Sequence, residues 1–386
     1  MATAFSTPIP RQSGAALGRL RLCRARSLDE IDAWQDAWRE LAGPHGSPTA
    51  QFDWTRTCLS AFSAGTAPQV IAVLHQEKFV ALAPLVKKRL RGVRRLLLAG
   101  ISDLHEPTDL VWTEERALER LIAALARSGT PLWFERIPAD SLSVRELKRI
   151  YRGRAIVVAR PQATCPYIAL DESWLEPEAH LNSGRRSDLR RAGRKAEQLG
   201  QVTTEIRTPD LSELPGLLDT AFEVEANSWK GEAGTALSRD AHRAVFYRQY
   251  AEAACIEGVL RICFLRVGDR VAAMQLAVEQ GGGFWLLKVG YDARFAACSP
   301  GMLLMRDTIR YAAEAGLASY EFLGRAETWT QVWTSTEHAY VSLRVYPFGV
   351  RGLTALAADA VATIHERWRK KRCNCSQGLA KLPQNV

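Results

Sequence analysis

Residues 286–305 read LLKVGYDARFAACSPGMLLM, and the way this stretch is parsed decides the rest of the chain. A strand-like apolar run gives way, through a polar connection, to a helix that would start at Ser299-Pro300-Gly301. Serine is a favoured N-cap, and proline at the first helical position gives up an N–H that has no intrahelical partner. Gly301 lets a ligand approach the backbone. The exposed N–H groups and the helix dipole then form an anion site. An ordinary well-capped helix is the rival reading of the same residues.

Working outward, strands and helices alternate on both sides of this segment. Residues 260–266 and 271–279 form a hairpin around Val-Gly-Asp-Arg, with helices at 210–226 and 240–256 before it. A helix over 300–315 and strands near 320–323 and 342–346 follow. The same order occurs earlier: a hairpin over 69–74 and 79–86, a strand at 96–98, a helix at 115–127 and a strand at 132–136. Gapless alignment of 70–85 with 261–276 pairs Ile71 with Ile262, Leu74 with Leu265, Val80 with Val271, Ala81 with Ala272 and Leu85 with Leu276. This is the pattern of an internal duplication. It predicts an α/β (α+β) chain in four parts: a disordered segment over 1–18, a first half over 19–172, a second half over 173–350, and a C-terminal amphipathic helix and flexible tail over 351–386.

Composition narrows the classes. The 386 residues are 47% hydrophobic and 24% charged, which excludes a disordered or collagenous chain. A net charge of +9 suits an anionic ligand, nucleic acid or an anionic membrane surface. The N-terminal stretch has no apolar core of signal-peptide length, and the longest membrane-span candidate, 352–364, is broken by Asp359. A cytoplasmic protein is expected, in solution or held peripherally at the inner face of the membrane. The eight cysteines include no C-x-x-C pair, so no metal site is expected. Cys373 and Cys375 read as free thiols of a frayed tail, with metal binding or redox use as the rival.

Two helices stand out. Residues 182–195 read NSGRRSDLRRAGRK, with six basic residues in eleven positions and Ser183 as a plausible N-cap. Near the end, Leu353, Leu356, Ala357, Ala360, Val361, Ile364 and Trp368 fall on one side of a helix. Docking of that side onto the body is expected, and membrane-surface contact through it and its basic end is the rival reading.

There is no G-x-S-x-G, Walker A loop, H-E-x-x-H or G-x-G-x-x-G. Chemistry-bearing residues gather instead in the second half. In EVEANSWKG, 223–231, a helix puts Glu225 and Trp229 on one face, with Lys230 and Gly231 leaving it. Glu225 is a candidate general base for an amine nucleophile; a solvent-facing carboxylate is the rival reading. In YEFLGR, 320–325, Glu321 lies on an apolar strand and needs a partner, for which Lys288 is a candidate. His105, Glu106 and Asp109 read as a polar loop at the junction of the halves, where it would line an acceptor cleft, rather than as a metal cluster.

Together, E-x-x-x-W-K-G, L-K-x-x-Y-D…S-P-G-x-L-L and Y-E-F-L-G resemble the BioF-like acetyltransferase group of the GNAT superfamily. That group includes the cellulose-biosynthesis CelD proteins and is related to the FemAB aminoacyl transferases. The S-x-x-x-x-x-L-R-R run from Ser183 to Arg191 fits it too. The resemblance covers roughly residues 20–350 and is most specific over 225–304. It implies two tandem GNAT-like domains, each a mixed, largely antiparallel sheet flanked by helices. It also implies acyl transfer from acetyl-CoA or another acyl-CoA, without a metal, to an amine or hydroxyl of a sugar, cell-envelope or exopolysaccharide precursor. By this resemblance Ser299, Pro300, Gly301 and Met302 hold the CoA pyrophosphate, and Lys288, Val289 and Gly290 lie beside the thioester arm. Glu225 is the first choice for the base and Asp292 the second, and Lys230 assists in catalysis. Trp229, Tyr291, Glu321, Arg186 and Arg190 face the acceptor. Fem-related sequences often carry an aromatic-Lys pair after the glycine of the third segment, where this chain reads Trp329-Thr330. Two alternatives follow: a Fem-like aminoacyl-tRNA-dependent transferase, or a catalytically silent GNAT-like scaffold of a polysaccharide synthase.

Overall fold

The computed structural model describes residues 20–228 and 240–379, with side chains through residue 369. The 1–18 segment read as disordered and the thiols of Cys373 and Cys375 lie outside that description. The first half runs β1 (Arg21–Ala25), α1 (Leu28–Asp32), α2 (Gln35–Ala42), α3 (Phe52–Ala61), β2 (Thr66–Pro68), β3 (Val70–His75), β4 (Lys78–Ala83), β5 (Leu85–Leu90) and β6 (Val93–Leu98). It continues with α4 (Ile101–Leu104), β7 (Val111–Trp112), α5 (Glu115–Arg127), β8 (Leu132–Pro138), α6 (Leu142–Ile150), β9 (Ala155–Pro161) and β10 (Cys165–Ala169). The second half runs α7 (Ser183–Leu199), β11 (Val202–Arg207), α8 (Leu214–Ala226), α9 (Ala241–Ile256), β12 (Leu260–Val267), β13 (Arg270–Gln280) and β14 (Gly283–Tyr291). Then come α10 (Pro300–Glu314), β15 (Ser319–Glu321), β16 (Glu337–His338), β17 (Tyr340–Pro347) and α11 (Val350–Leu379).

Both hairpins of the duplication are present, β3 with β4 and β12 with β13, each antiparallel. The first turns through Gln76 and Glu77, both at positive φ, the backbone hand that matches strand twist in a tight hairpin. Each half also has a strand, a helix and a parallel strand: β6, α5 and β8, then β14, α10 and β15. The architecture is the expected one, mixed α/β with helix-flanked sheets and a repeated order of elements in the two halves. Apart from β10, the first half's strands divide between a four-stranded sheet, β1-β3-β4-β7, and a six-stranded one, β2-β5-β6-β8-β17-β9.

The sheets cross the division drawn on the sequence. β17, from the end of the second half, lies between β8 and β9 in the first half's sheet. β10, from the end of the first half, lies between β15 and β16 in the seven-stranded sheet β11-β12-β13-β14-β15-β10-β16. Each half therefore lends a strand to the other. Their cores merge as well: Trp38, Leu82 and Phe134 share a buried cluster with Leu218, Phe246, Phe264 and Trp285. Trp54 of α3 packs edge-on against Phe246 and Tyr250 of α9, with ring centroids 5.1 and 4.9 Å apart. The other face of the second sheet is covered by α7 and α10 through Leu189, Ala196, Leu304 and Ile309.

Two expectations about helices are corrected. The cap of α7 is Asn182, whose side chain accepts from the Arg185 N–H, and Ser183 is already helical. α11 docks through the side opposite its apolar stripe. Gly352, Ala355 and Asp359 are buried, whereas Leu353, Val361, Ile364 and Trp368 face outward. The cause is Arg95, fully buried on β6, which makes two 2.8 Å bonds to the Asp359 carboxylate and a 3.2 Å bond to the Ala355 carbonyl. A buried guanidinium needs a counter-ion, and that need turns the helix.

Candidate active site at the junction of the halves

β14 pairs with its parallel neighbour β15 only from Gly283 to Trp285, where β15 ends, and then runs on to Tyr291. A bulge at Leu287 shifts its register with β13. Bulges re-aim side chains, and here Leu287 packs in the core shared with α8 and α9 while Lys288 reaches the same two helices. The Lys288 Nζ lies 3.1 Å from Glu225 Oε1 of α8 and 5.2 Å from the centroid of the Tyr247 ring of α9. Glu225 is fully buried, which excludes the solvent-facing reading; it is a counter-ion of Lys288. Gly290 is needed at this approach, because a Cβ there would come within 3.0 Å of the Glu225 Cα.

From the first half, the loop after α4 brings Glu106 to the same place. Its Oε2 is shut off from solvent and has no hydrogen-bond partner among the described residues. Burial pushes its carboxyl above the usual range, opposed by Arg136, a Gly324 backbone N–H, Lys288 and Arg243. Arg136 stands at positive φ on β8, where two residues oppose one of β17. It donates to the carbonyls of His105 and Gly324, at 2.5 and 2.6 Å, and to Cys165 Sγ at 2.6 Å. Arg243 of α9 holds the Asp103 carbonyl at 2.6 Å. Cationic side chains from both halves thus surround one glutamate. Asp109 accepts from Ser141 and from the Leu110 N–H at 2.6 Å, and burial raises its carboxyl to about 6. Among the described residues, no group of three His, Cys, Asp or Glu could hold a metal.

Glu321 is buried, but Lys288 is not its partner. Glu321 stands level with Trp285, and its carboxylate meets His338 of β16 at 3.2 Å, with the His338 ring stacked on Tyr167 at 3.8 Å. Asp292 caps the 3-10 turn that follows β14 and is clamped by Arg294 at 2.5 Å. That bond holds its carboxyl below the usual range, with burial opposing. A carboxylate so engaged is a weak proton acceptor, which removes the second-choice base from this role. Trp229, Lys230 and Gly231 lie outside the described residues.

At the start of α10, Pro300 occupies the first helical position and Ser299 the cap position. Ser299 is left-handed, at φ 46°, and its side chain makes no cap bond. Ser299 is exposed and Gly301 and Met302 are half-buried, and a Cβ on Gly301 would meet only Tyr291 Cδ1, at the ordinary contact distance of 3.9 Å. α7 packs beside this turn, and Lys195 Nζ approaches the Ala297 carbonyl at 3.5 Å. A helix start with an exposed cap residue and a cation alongside fits a phosphate group. Arg186 and Arg190 stand exposed on α7, near its beginning and middle.

Glu106 is the residue that sequence reasoning placed only loosely. Its H-E-P-T-D loop was legible as a junction loop, yet its cationic neighbours Arg136 and Arg243 come from β8 and α9 and leave no local signal.

Residues 183–331 match the family model described as an acetyltransferase (GNAT) domain. Over longer spans the chain is similar in structure to FemX, with a TM-score of 0.53 and 12% identity, covering 88% of this chain and 100% of that one. It is similar to L-PGS from Bacillus licheniformis, with a TM-score of 0.51 and 11% identity, covering 86% and 96%. It is also similar to the C-terminal domain of a putative lysylphosphatidylglycerol synthetase from Agrobacterium fabrum, with a TM-score of 0.50 and 13% identity, covering 87% and 95%. No curated protein sequence matches the chain. At these identities the likeness is one of fold. The protein has the GNAT acetyltransferase fold, and its residues 183–331 carry the matched domain.

Proposed function

We propose that the protein transfers an acyl group from acyl-CoA, the donor this fold typically takes, to an amine or hydroxyl of a small acceptor bound where the halves meet. One observation carries this reading: β14 runs on past the end of β15 beside the Lys288–Glu225 pair and leads to the start of α10, where Ser299 is exposed. The Ser299–Met302 turn takes the CoA pyrophosphate, and the thioester lies along Lys288, Val289 and Gly290. The acceptor nitrogen or oxygen attacks the thioester carbon, a new bond forms there, and the C–S bond breaks. Glu106 takes the acceptor's proton, since burial raises its carboxyl above the usual range, and the proton then passes to the departing thiolate or to water. Glu225 holds Lys288, whose charge faces the developing oxyanion. Positioning supplies much of the rest. The resemblance to the CelD group favours a sugar, cell-envelope or exopolysaccharide precursor as acceptor.

The test pairs calorimetry with kinetics. Wild type should bind acetyl-CoA, and a folded Gly301→Trp variant should not. Glu106→Gln should keep that binding and lower kcat/KM by about 10²–10⁴-fold, with loss of the acid limb of the pH profile. Unchanged turnover in Glu106→Gln would remove it as the base. Failure of the folded wild type to bind any acyl-CoA would remove the donor.

A second reading, transfer from aminoacyl-tRNA, is favoured by α7. Arg185, Arg186, Arg190 and Arg194 are exposed there, and no carboxylate among the described residues lies within ion-pair distance of them. RNA binding that weakens steeply with salt, together with no acyl-CoA binding, would support it.

A further inference from the structure

The outward face of α11 has no covering element among the described residues. Leu353, Val361, Ile364 and Trp368 are 54%, 66%, 57% and 67% exposed, and Val350 and Phe348 extend the same stripe at its start. From Val350 to Trp368 the stripe is about 27 Å long at 1.5 Å per residue. The helix is not loosely attached. The buried Arg95–Asp359 pair, the Tyr346 hydroxyl at 2.6 Å from the same carboxylate, and the Arg91–Glu366 pair at 3.1 Å fix which side points out.

The charges are sorted in the same way. Between Val350 and Arg372 the acidic residues are Asp359 and Glu366, and both are engaged by arginines of the body. The basic residues are Arg351, Arg367, Arg369, Lys370, Lys371 and Arg372. Arg351, Arg367 and Arg369 are exposed, with no carboxylate among the described residues within ion-pair distance of them, so the charge that the described part of the helix adds beside its apolar stripe is positive. No helix among the described residues is long and apolar enough to cross a membrane.

We propose that this face of α11 docks on an anionic lipid bilayer, with the stripe at the acyl boundary and the basic residues among the headgroups. An amphipathic helix with a cationic polar margin has this chemistry. A second copy of the chain fits less well, because its own basic margin would meet this one.

Flotation of the full chain with vesicles tests the proposal, using phosphatidylcholine alone and with about 30% phosphatidylglycerol. The wild type should float with the anionic vesicles, bind neutral ones at least about tenfold more weakly, and be released by high salt. Leu353→Ser/Val361→Ser/Ile364→Ser should lose about tenfold or more of the anionic binding. Arg367→Glu/Arg369→Glu should lose a comparable share. All five positions are exposed, so both variants should melt as the wild type does. The proposal is overturned if the wild type stays with the unbound fraction, if the triple-serine variant floats equally well, or if neutral vesicles bind as tightly. It is also overturned if sedimentation shows a wild-type dimer that the triple-serine variant abolishes, because the face then belongs to a second copy.

Discussion

Asp109 and Glu106 sit three residues apart on one loop, and burial raises both carboxyls. The sign of the consequence is the same for each. A carboxyl raised in the folded state takes up a proton on folding, so its penalty is absent below the unfolded value and grows as pH rises through the folded one. For Asp109 the window runs from about 4, the unfolded value, to about 6. Stability should fall across that window and level off above it. Asp109→Asn, which can still accept from the Leu110 N–H, should flatten that part of the profile, with a difference of at most about 2–3 kcal/mol. Thermal melts of both proteins from pH 4 to pH 7 check this, and parallel curves would show that Asp109 stays charged. The neighbours of these residues explain what the sequence hid. Glu321 finds His338 seventeen positions on, and Lys288 finds Glu225 sixty-three positions back. Residue types announce that a buried charge needs a partner, but they do not say which.

Among elements, those that follow a local period were legible. The duplicated hairpins, the helix beginning at Pro300 and, within a residue, the helix over α7 appear where alternation, proline and helical patterning put them. The side on which α11 docks was not legible. Helical spacing finds an apolar stripe, but Arg95, far back in the chain, decides which side is buried. Asp359→Ala should therefore be costly. It leaves a fully buried guanidinium without its carboxylate, at about 3–5 kcal/mol. In acid the same pair weakens: Arg95 and Tyr346 hold the Asp359 carboxyl below its usual range despite its burial, so its contribution is present above about pH 4 and is lost as pH falls through the lower folded value. A denaturant titration of Asp359→Ala within about 1 kcal/mol of wild type at neutral pH would show that Arg95 finds another partner. The packing of α8 on β14 makes a second prediction. Gly290→Ala places a methyl against the Glu225 backbone and should cost about 1–3 kcal/mol by overpacking. It should also weaken acetyl-CoA binding, because Lys288 and its counter-ion move together; an unchanged melt and unchanged binding would mean that α8 yields freely.

For the whole molecule, the division at residue 172 and the exchange of strands make opposite demands. The sequence marks a strand near 342–346, within β17, but it does not name the strand's neighbours. In the structure those neighbours are β8 and β9, both from the other side of the division. A fragment covering 1–172 would lose β17 and leave two strand edges open, which invites aggregation. A fragment covering 173–386 would lose β10, leaving β15 with only its three-residue pairing to β14. Neither fragment should give a soluble, cooperatively melting protein alone. Co-expression should return a one-to-one complex, because each fragment supplies the strand that the other lacks. The intact chain should unfold in one transition, since the shared core ties α8 and α9 to the first half. A monomeric 1–172 fragment with its own sharp melt would show that β17 is an accessory strand. The junction that gathers Glu106, Lys288 and Arg136 would then be a contact between two independent domains, and its geometry would have to survive their relative motion. If the fragments depend on each other as predicted, the exchange of strands is what holds those groups in register.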